Sequence, residues 1–340
     1  MMTATTTPSM PPNPKERAGR TQFVDFTQKW AGQIGITVAF LVLWAVFMLL
    51  APDTFGSDLI YKSFGQTVPY FGLIAMMLTM VIVAGDIDLS FPSVMGLGMV
   101  GFVWVWDATD MVWLGAIAAI GMGAAAGLFN GLVITMIGLP SLVVTIGTQF
   151  LFRGLTLVMV SGSSYALAAT RGDPFRELLV GKPMGIPMEF IWFAGITILA
   201  WVLLNRHRLG GNTYVIGDNT QTARLMGVPI RRTRITLFML TGMAAALAGM
   251  MLSLQVVNFY PNLGSGLLLP ALAAVFVGGT SVFGGRGSVY GTFIGALMIG
   301  AIPAGIVASG LTDFWTQAIY GGIILIAISI HAVLQRRFQR

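Results

Sequence analysis

The chain has 340 residues, of which 56% are hydrophobic and only 9% charged, and its formal net charge is +6. A soluble domain carries roughly a quarter charged residues, so this composition excludes one. Cysteine is absent, which rules out disulfides and thiolate chemistry.

Residues 1–29 are polar and interrupted by Pro8, Pro11, Pro12 and Pro14. They lack the apolar core of a signal peptide, and predict a flexible N-terminal tail ahead of an uncleaved membrane anchor. Charge-free runs then follow at 30–52, 63–85, 89–106, 111–152, 235–285, 287–312 and 314–335. A helix needs about 20 apolar residues to cross a bilayer, and two of these runs are long enough for two crossings each. Splitting them at glycine, proline and polar punctuation predicts ten helices, near 33–51, 67–84, 91–106, 111–135, 142–160, 188–204, 235–257, 266–283, 288–308 and 314–334. The fold class is all-α and polytopic, with a transmembrane domain over 30–335 and a C-terminal tail over 336–340.

Lys and Arg accumulate in cytoplasmic connections. With the N-terminus inside, the inner side holds Lys15, Arg17, Arg20, Lys29, Arg206, Arg208, Arg224, Arg231, Arg232, Arg234, Arg286, Arg336, Arg337 and Arg340. The outer side holds only Lys62, Arg171, Arg176 and Lys182, and Arg153 lies within a helix. Both termini are therefore expected in the cytoplasm. Two loops are longer than helical connections require, an outer one at 161–187 and an inner one at 205–234; such length points to function or disorder.

The stretch "VIVAGDIDLSFPSV" (81–94) sets Asp86 and Asp88 between apolar runs. Gly85 can end one helix, Asp88 or Ser90 can cap the next, and Pro92 fits a first turn, where no intrahelical donor is lost. The carboxylates then accept from free backbone N–H groups, which lowers the cost of placing them at membrane depth. Glycines recur at short spacings (Gly96, Gly98, Gly101; Gly121, Gly123, Gly127; Gly291, Gly295, Gly300), as in close helix packing. "SVMG" at Ser93 and "SVYG" at Ser288 hint at an internal duplication.

No arrangement suggests an enzyme. His207 and His331 stand alone near arginines, no metal-ligand spacing occurs, and there is no GxxxxGK[ST] phosphate loop. In the inner loop, "GDNTQTARLMGVP" predicts a two-turn helix capped at Asn219 or Thr220 and stopped at Gly227, with Pro229 beyond. With apolar Leu225 and Met226 in basic surroundings, it either docks into another protein or lies on anionic lipid.

Four stretches carry a resemblance: "AGDIDLSFPSVMGLG" (84–98), "NGLVITMIGLPSLVVTIGTQFLFRGLTLVMVSG" (130–162), "GGNTYVIGDNTQTARLMGVPIRRTR" (210–234) and "LPALAAVFVGGTSVFGGRGSVYGTFIGALMIGAI" (269–302). Together, and in this order, they resemble the permease subunits of ATP-binding-cassette importers for simple sugars, the group of the ribose, xylose and autoinducer-2 permeases. Asp88 falls on that group's motif aspartate, whereas Phe91 and Pro92 replace the Val and Gly of many relatives.

The resemblance implies a membrane channel built of two permease chains, identical or different, with cytoplasmic ATPases that bind ATP and magnesium and a periplasmic sugar-binding protein. It implies no cofactor or metal on this chain and no nucleic-acid partner; membrane lipid and the sugar complete the set. Asn219, Ala223, Arg224 and Gly227 are then the ATPase-coupling residues. A neutral sugar needs hydrogen-bonding groups along its route, for which Asp88, Ser90, Asn130, Thr135, Thr145, Thr148, Gln149 and Asn258 are candidates. Asp86 and Arg153 are structural charges, with Arg153 expected to pair with Asp86 or Asp88 or to reach the nearer interface. The alternative is an ion-coupled secondary transporter using Asp86, Asp88 and Arg153 as a relay; a membrane scaffold or enzyme is a third, weaker reading.

Overall fold

In the computed structural model, which describes residues 14–312 and 314–338, helices follow one another almost without sheet. Residues 1–13 and 339–340 of the two expected tails lie outside the described residues. Helix α1 runs Pro14–Leu50, α2 is a single turn at Pro52–Phe55, and α3 covers Asp58–Val83. Then come α4 (Phe91–Thr109), α5 (Val112–Ile137) and α6 (Ser141–Met159). The loop expected on the outer side holds strand β1 (Tyr165–Ala166) and helix α7 (Pro174–Val180) before α8 (Met188–Asn205). The loop expected on the inner side is itself helical, with α9 (Arg208–Asp218) and α10 (Thr220–Leu225), and leads into α11 (Ile230–Val256). Strand β2 (Asn258–Phe259), α12 (Leu268–Val277), α13 (Val289–Ala308) and α14 (Trp315–Phe338) complete the chain.

Among the described residues eight helices are long and apolar enough to cross a membrane: α1 over its second half, α3, α4, α5, α6, α8, α11 and α13. Two further apolar stretches, Leu268–Val277 and Trp315–Ser329, are shorter. This is an all-α polytopic membrane protein.

The boundaries depart from expectation where charge was used to place them. The first helix begins at Pro14, within the segment expected to be a non-helical tail; proline is at ease there because the first turn has no intrahelical donor to lose. Helix α11 begins at Ile230, so Arg231, Arg232 and Arg234 stand on its first turns. Helix α12 is only ten residues long, because Gly278 closes it and Gly279, Gly284 and Gly285 all have positive φ.

Helix α3 is the most enclosed span, and α11 packs on α5, α4 and α3 to form the centre. Lipid tails are as apolar as Leu, so close contact holds such helices together rather than burial from water. On α5 the contact stripe is Gly123, Gly127 and Gly131: a methyl group on Gly127 would clash with the Phe238 carbonyl, and one on Gly131 would lie 2.7 Å from the Ile235 Cα. Gly121, grouped with this stripe from its spacing, faces open space.

Candidate functional site

Two breaks interrupt the helices, called inner and outer after the orientation expected from the distribution of Lys and Arg. The inner one spans 84–90. Helix α3 ends in a double C-terminal cap, with Gly85 at φ 82°, Gly85 N–H bonded to Ile82 O (2.9 Å) and Asp86 N–H to Val81 O (3.1 Å). Asp88 is fully buried, and its Oδ1 accepts from the Ser90 N–H (2.8 Å) and the Ser90 hydroxyl (2.7 Å). Ser90 Oγ in turn accepts from Asn130 Nδ2 on α5 (2.7 Å). Of the two expected caps, Asp88 is the one that acts; the Ser90 side chain makes no cap bond to the helix.

Asp86 pairs with Arg234 on α11, whose Nε lies 2.8 Å from its Oδ2. Beside it, the Ile87 N–H donates to Ser141 Oγ (3.0 Å) and Thr145 Oγ1 to Ile87 O (3.2 Å). The break is thus tied to α5, α6 and α11.

The outer break is the run of turns at 260–267, between β2 and α12. Ten residues of α12 rise about 15 Å, half of a hydrocarbon core of about 30 Å. The eight residues 260–267 join it to β2 through successive turns. At its upper end the segment is anchored to the outer loop: β2 pairs antiparallel with β1 (Tyr165 with Phe259, Ala166 with Asn258), and Leu167 N–H donates to Val257 O (3.0 Å). Lower down, a methyl on Gly264 would lie 2.7 Å from the Pro92 carbonyl oxygen on α4, so this turn fits only as glycine, whose φ is 83°. Tyr260, Asn262 and Ser265 are exposed on its free side.

Arg153 belongs to this outer break. Its guanidinium donates to Pro261 O (2.7 Å) and Leu263 O (3.1 Å), which corrects the expected pairing with Asp86 or Asp88. Carbonyls that a helix would have used internally are free here and face Arg153, while Asp86 is occupied by Arg234. The charges that a proton relay would need do not converge: Asp86, Asp88 and Arg153 each have separate partners.

The remaining predicted pathway residues divide. Asp88, Ser90 and Asn130 form one buried network. Thr145 and Thr148 are buried, with hydroxyls turned to Ser141 O (2.8 Å) and Thr145 O (3.4 Å) of their own helix; Thr135 likewise bonds Gly131 O (2.6 Å). Gln149 is partly exposed one turn from Arg153, on the same face of α6. Asn258 sits on β2, not in a membrane helix as expected, because α11 stops at Val256 and Val257 turns left-handed at φ 57°. Arg234, Tyr260, Asn262 and Ser265 were not among the candidates; "NFYPNLGSG" at 258–266, dense in turn residues, was the available signal for the last three.

On the inner side, Asn219 Oδ1 caps α10 by accepting from the Gln221 and Thr222 N–H groups (2.9 Å each). Gly227 at φ 74° closes it, with Val228 N–H bonded to Ala223 O (3.0 Å). Ala223 is buried, while Arg224, Leu225 and Met226 point outward, the last two at 86% and 66% exposure. Helix α9 carries this module against the core: Gly217 packs on the Val83 carbonyl at the end of α3, and that same carbonyl accepts from Gly285 N–H (2.9 Å). The larger open grooves lie away from both breaks. One of about 670 Å³ is lined mainly by apolar side chains such as Phe40, Trp44, Ile186 and Phe190.

The family model described as "Branched-chain amino acid transport system / permease component" matches residues 62–328. The ribose import permease protein of Escherichia coli (strain K12) is 32% identical over 308 residues, covering 90% of this chain and 95% of that protein. The autoinducer 2 import system permease protein of Salmonella typhimurium is 31% identical over 271 residues, covering 79% and 82%. No solved structure matches the chain.

Proposed function

The chain belongs to the branched-chain amino acid transport system / permease component family, and from that premise we propose that it is the membrane-spanning permease subunit of an ATP-binding-cassette importer for a monosaccharide or related polyol. It sits in the bacterial inner membrane as a multi-pass protein of ten crossings, with α12 and α14 added to the eight long spans and both termini in the cytoplasm. A second permease chain, cytoplasmic ATPases that bind ATP and magnesium, and a periplasmic sugar-binding protein complete the machine; this chain is not itself the enzyme.

The observation that carries this reading is the α9–α10 module. A two-turn helix closed at both ends, offering Leu225 and Met226 to the cytoplasm, has the form of a plug for a groove on a motor subunit. Its motion has two physical routes inward. One runs through Gly217 to the end of α3. The other runs through the first turns of α11 and the Arg234–Asp86 pair to the inner break. Closure of the motors would move both together and switch the side on which the route is open.

Cargo chemistry follows from the outer break. Irregular backbone at membrane depth is tolerated only against protein or a water-filled route, so the exposed side of 260–267 does not face lipid. The groups it offers, Tyr260, Asn262 and Ser265, together with Gln149 of α6, are uncharged hydrogen-bonding groups. Arg153, the cation bonded to this segment, is occupied by two of its carbonyls. Such a lining suits a neutral polyhydroxylated solute. A free amino acid would call for fixed countercharges, which Tyr260, Asn262, Ser265 and Gln149 do not supply.

Copurification tests the docking directly. The tagged chain should retain its cognate ATPase, and Leu225→Asp with Met226→Asp should release it. Retention of the ATPase by the double variant would remove α10 from the interface.

A further inference from the structure

We propose that Arg153 is a latch: it holds the 260–267 segment against α6, and its release is a step in opening the outer side to cargo. The proposal rests on the permease reading for its purpose, but its geometry stands independently.

The segment is held on three sides by different means. Above, the β1–β2 pairing fixes its start to the outer loop. Towards α4 it is wedged at Gly264 against the Pro92 backbone, which has no rotamer to give way, with the Met95 sulfur beside it. Towards α6 the tie consists of two hydrogen bonds from one guanidinium to Pro261 O and Leu263 O. Arg153 is only partly buried, so water can replace these bonds when α6 shifts, whereas the wedge at Gly264 has no such substitute. The segment's own turns also bond internally, Leu263 N–H to Tyr260 O (3.0 Å) and Leu267 N–H to Gly264 O (2.9 Å), so it can swing from α6 as a unit. A planar fork reaching two carbonyls is a task for Arg; the ammonium of Lys offers a point charge without that geometry.

The chain has no cysteine, so Asn262→Cys places a single reporter thiol on the exposed side of the segment. Its modification by a membrane-impermeant maleimide is timed with the full chain in lipid nanodiscs, with Ser163→Cys in the outer loop as a reference thiol. Adding Arg153→Ala is expected to accelerate labelling at 262 several-fold and leave labelling at 163 unchanged; Arg153→Lys is expected to fall between. In the assembled importer, the Arg153 variants should hydrolyse more ATP per sugar delivered. An unchanged labelling rate at 262 in both variants overturns the latch. If Arg153→Ala does not fold, Arg153→Lys decides, and parity with the parent at 262 overturns the proposal. Labelling needs neither ATP nor sugar. A chain that labels as expected but supports no uptake would refute the permease reading and leave the latch standing.

Discussion

The inner and outer breaks solve the same problem, backbone leaving a helix inside a membrane protein, in opposite ways. At 84–90 the turn is shaped locally, by Gly85 and the Asp88 carboxylate, and side chains of α5, α6 and α11 add further ties; Asp86, Asp88 and Ser90 are buried while Gly85 is exposed. At 260–267 the key bonds come from Arg153, 108 and 110 residues away, and one side stays open. A break shaped by its own neighbours and tied on several sides acts as a fixed bend; one held by a distant, partly exposed side chain is free to work as a moving part.

The largest expected effect tests the fixed bend. Asp88→Ala orphans the Ser90 N–H and hydroxyl and should cost about 3 kcal/mol, enough to lose both the folded chain and transport. Asp88→Asn keeps an acceptor and should cost about 1 kcal/mol with transport retained, if capping is the whole role. Thermal midpoints in detergent, set beside sugar uptake, separate these outcomes; loss of uptake in a stable Asp88→Asn protein would mean that the carboxylate acts beyond capping.

Arg234→Ala comes next. It leaves the buried Asp86 without its ion partner and should cost about 2 kcal/mol, less than for a fully enclosed pair because the guanidinium is partly open to water. Sugar-stimulated ATP hydrolysis should fall further than stability does, and an equal fall in both would make the pair merely structural. Asn219→Ala removes the α10 cap, worth about 1 kcal/mol, and should weaken ATPase retention with little change in thermal midpoint. Thr148→Val should have the smallest effect, under about 0.5 kcal/mol with normal uptake, since the hydroxyl is buried and turned to its own helix. A clear transport defect in this variant would put Thr148 on the route.

The same contrast explains what was legible in the sequence. The Asn219 cap, the Gly227 stop, the Gly85 turn and the Asp88 cap all act within a few residues, and each was readable from its own stretch. Helices announced themselves through charge-free runs, but their ends did not, because Pro14 and Arg231 lie on helical turns beyond those runs. The pairs Arg234–Asp86 and Arg153–Pro261 join distant segments, so no local pattern could name the partners. A lone guanidinium in a membrane helix indicated that acceptors were needed. That they were carbonyls followed from the brevity of α12, which lay within a single charge-free run marked only by the turn residues of 258–266.

The most direct measurement is uptake by proteoliposomes holding this chain with its ATPase and periplasmic binding protein, using labelled pentoses, hexoses and polyols beside a branched-chain amino acid. An importer of the proposed kind accumulates one sugar or polyol at the expense of ATP, takes up no amino acid and is indifferent to an uncoupler. Uptake that continues without ATP and collapses with the uncoupler, or that selects the amino acid, would contradict it.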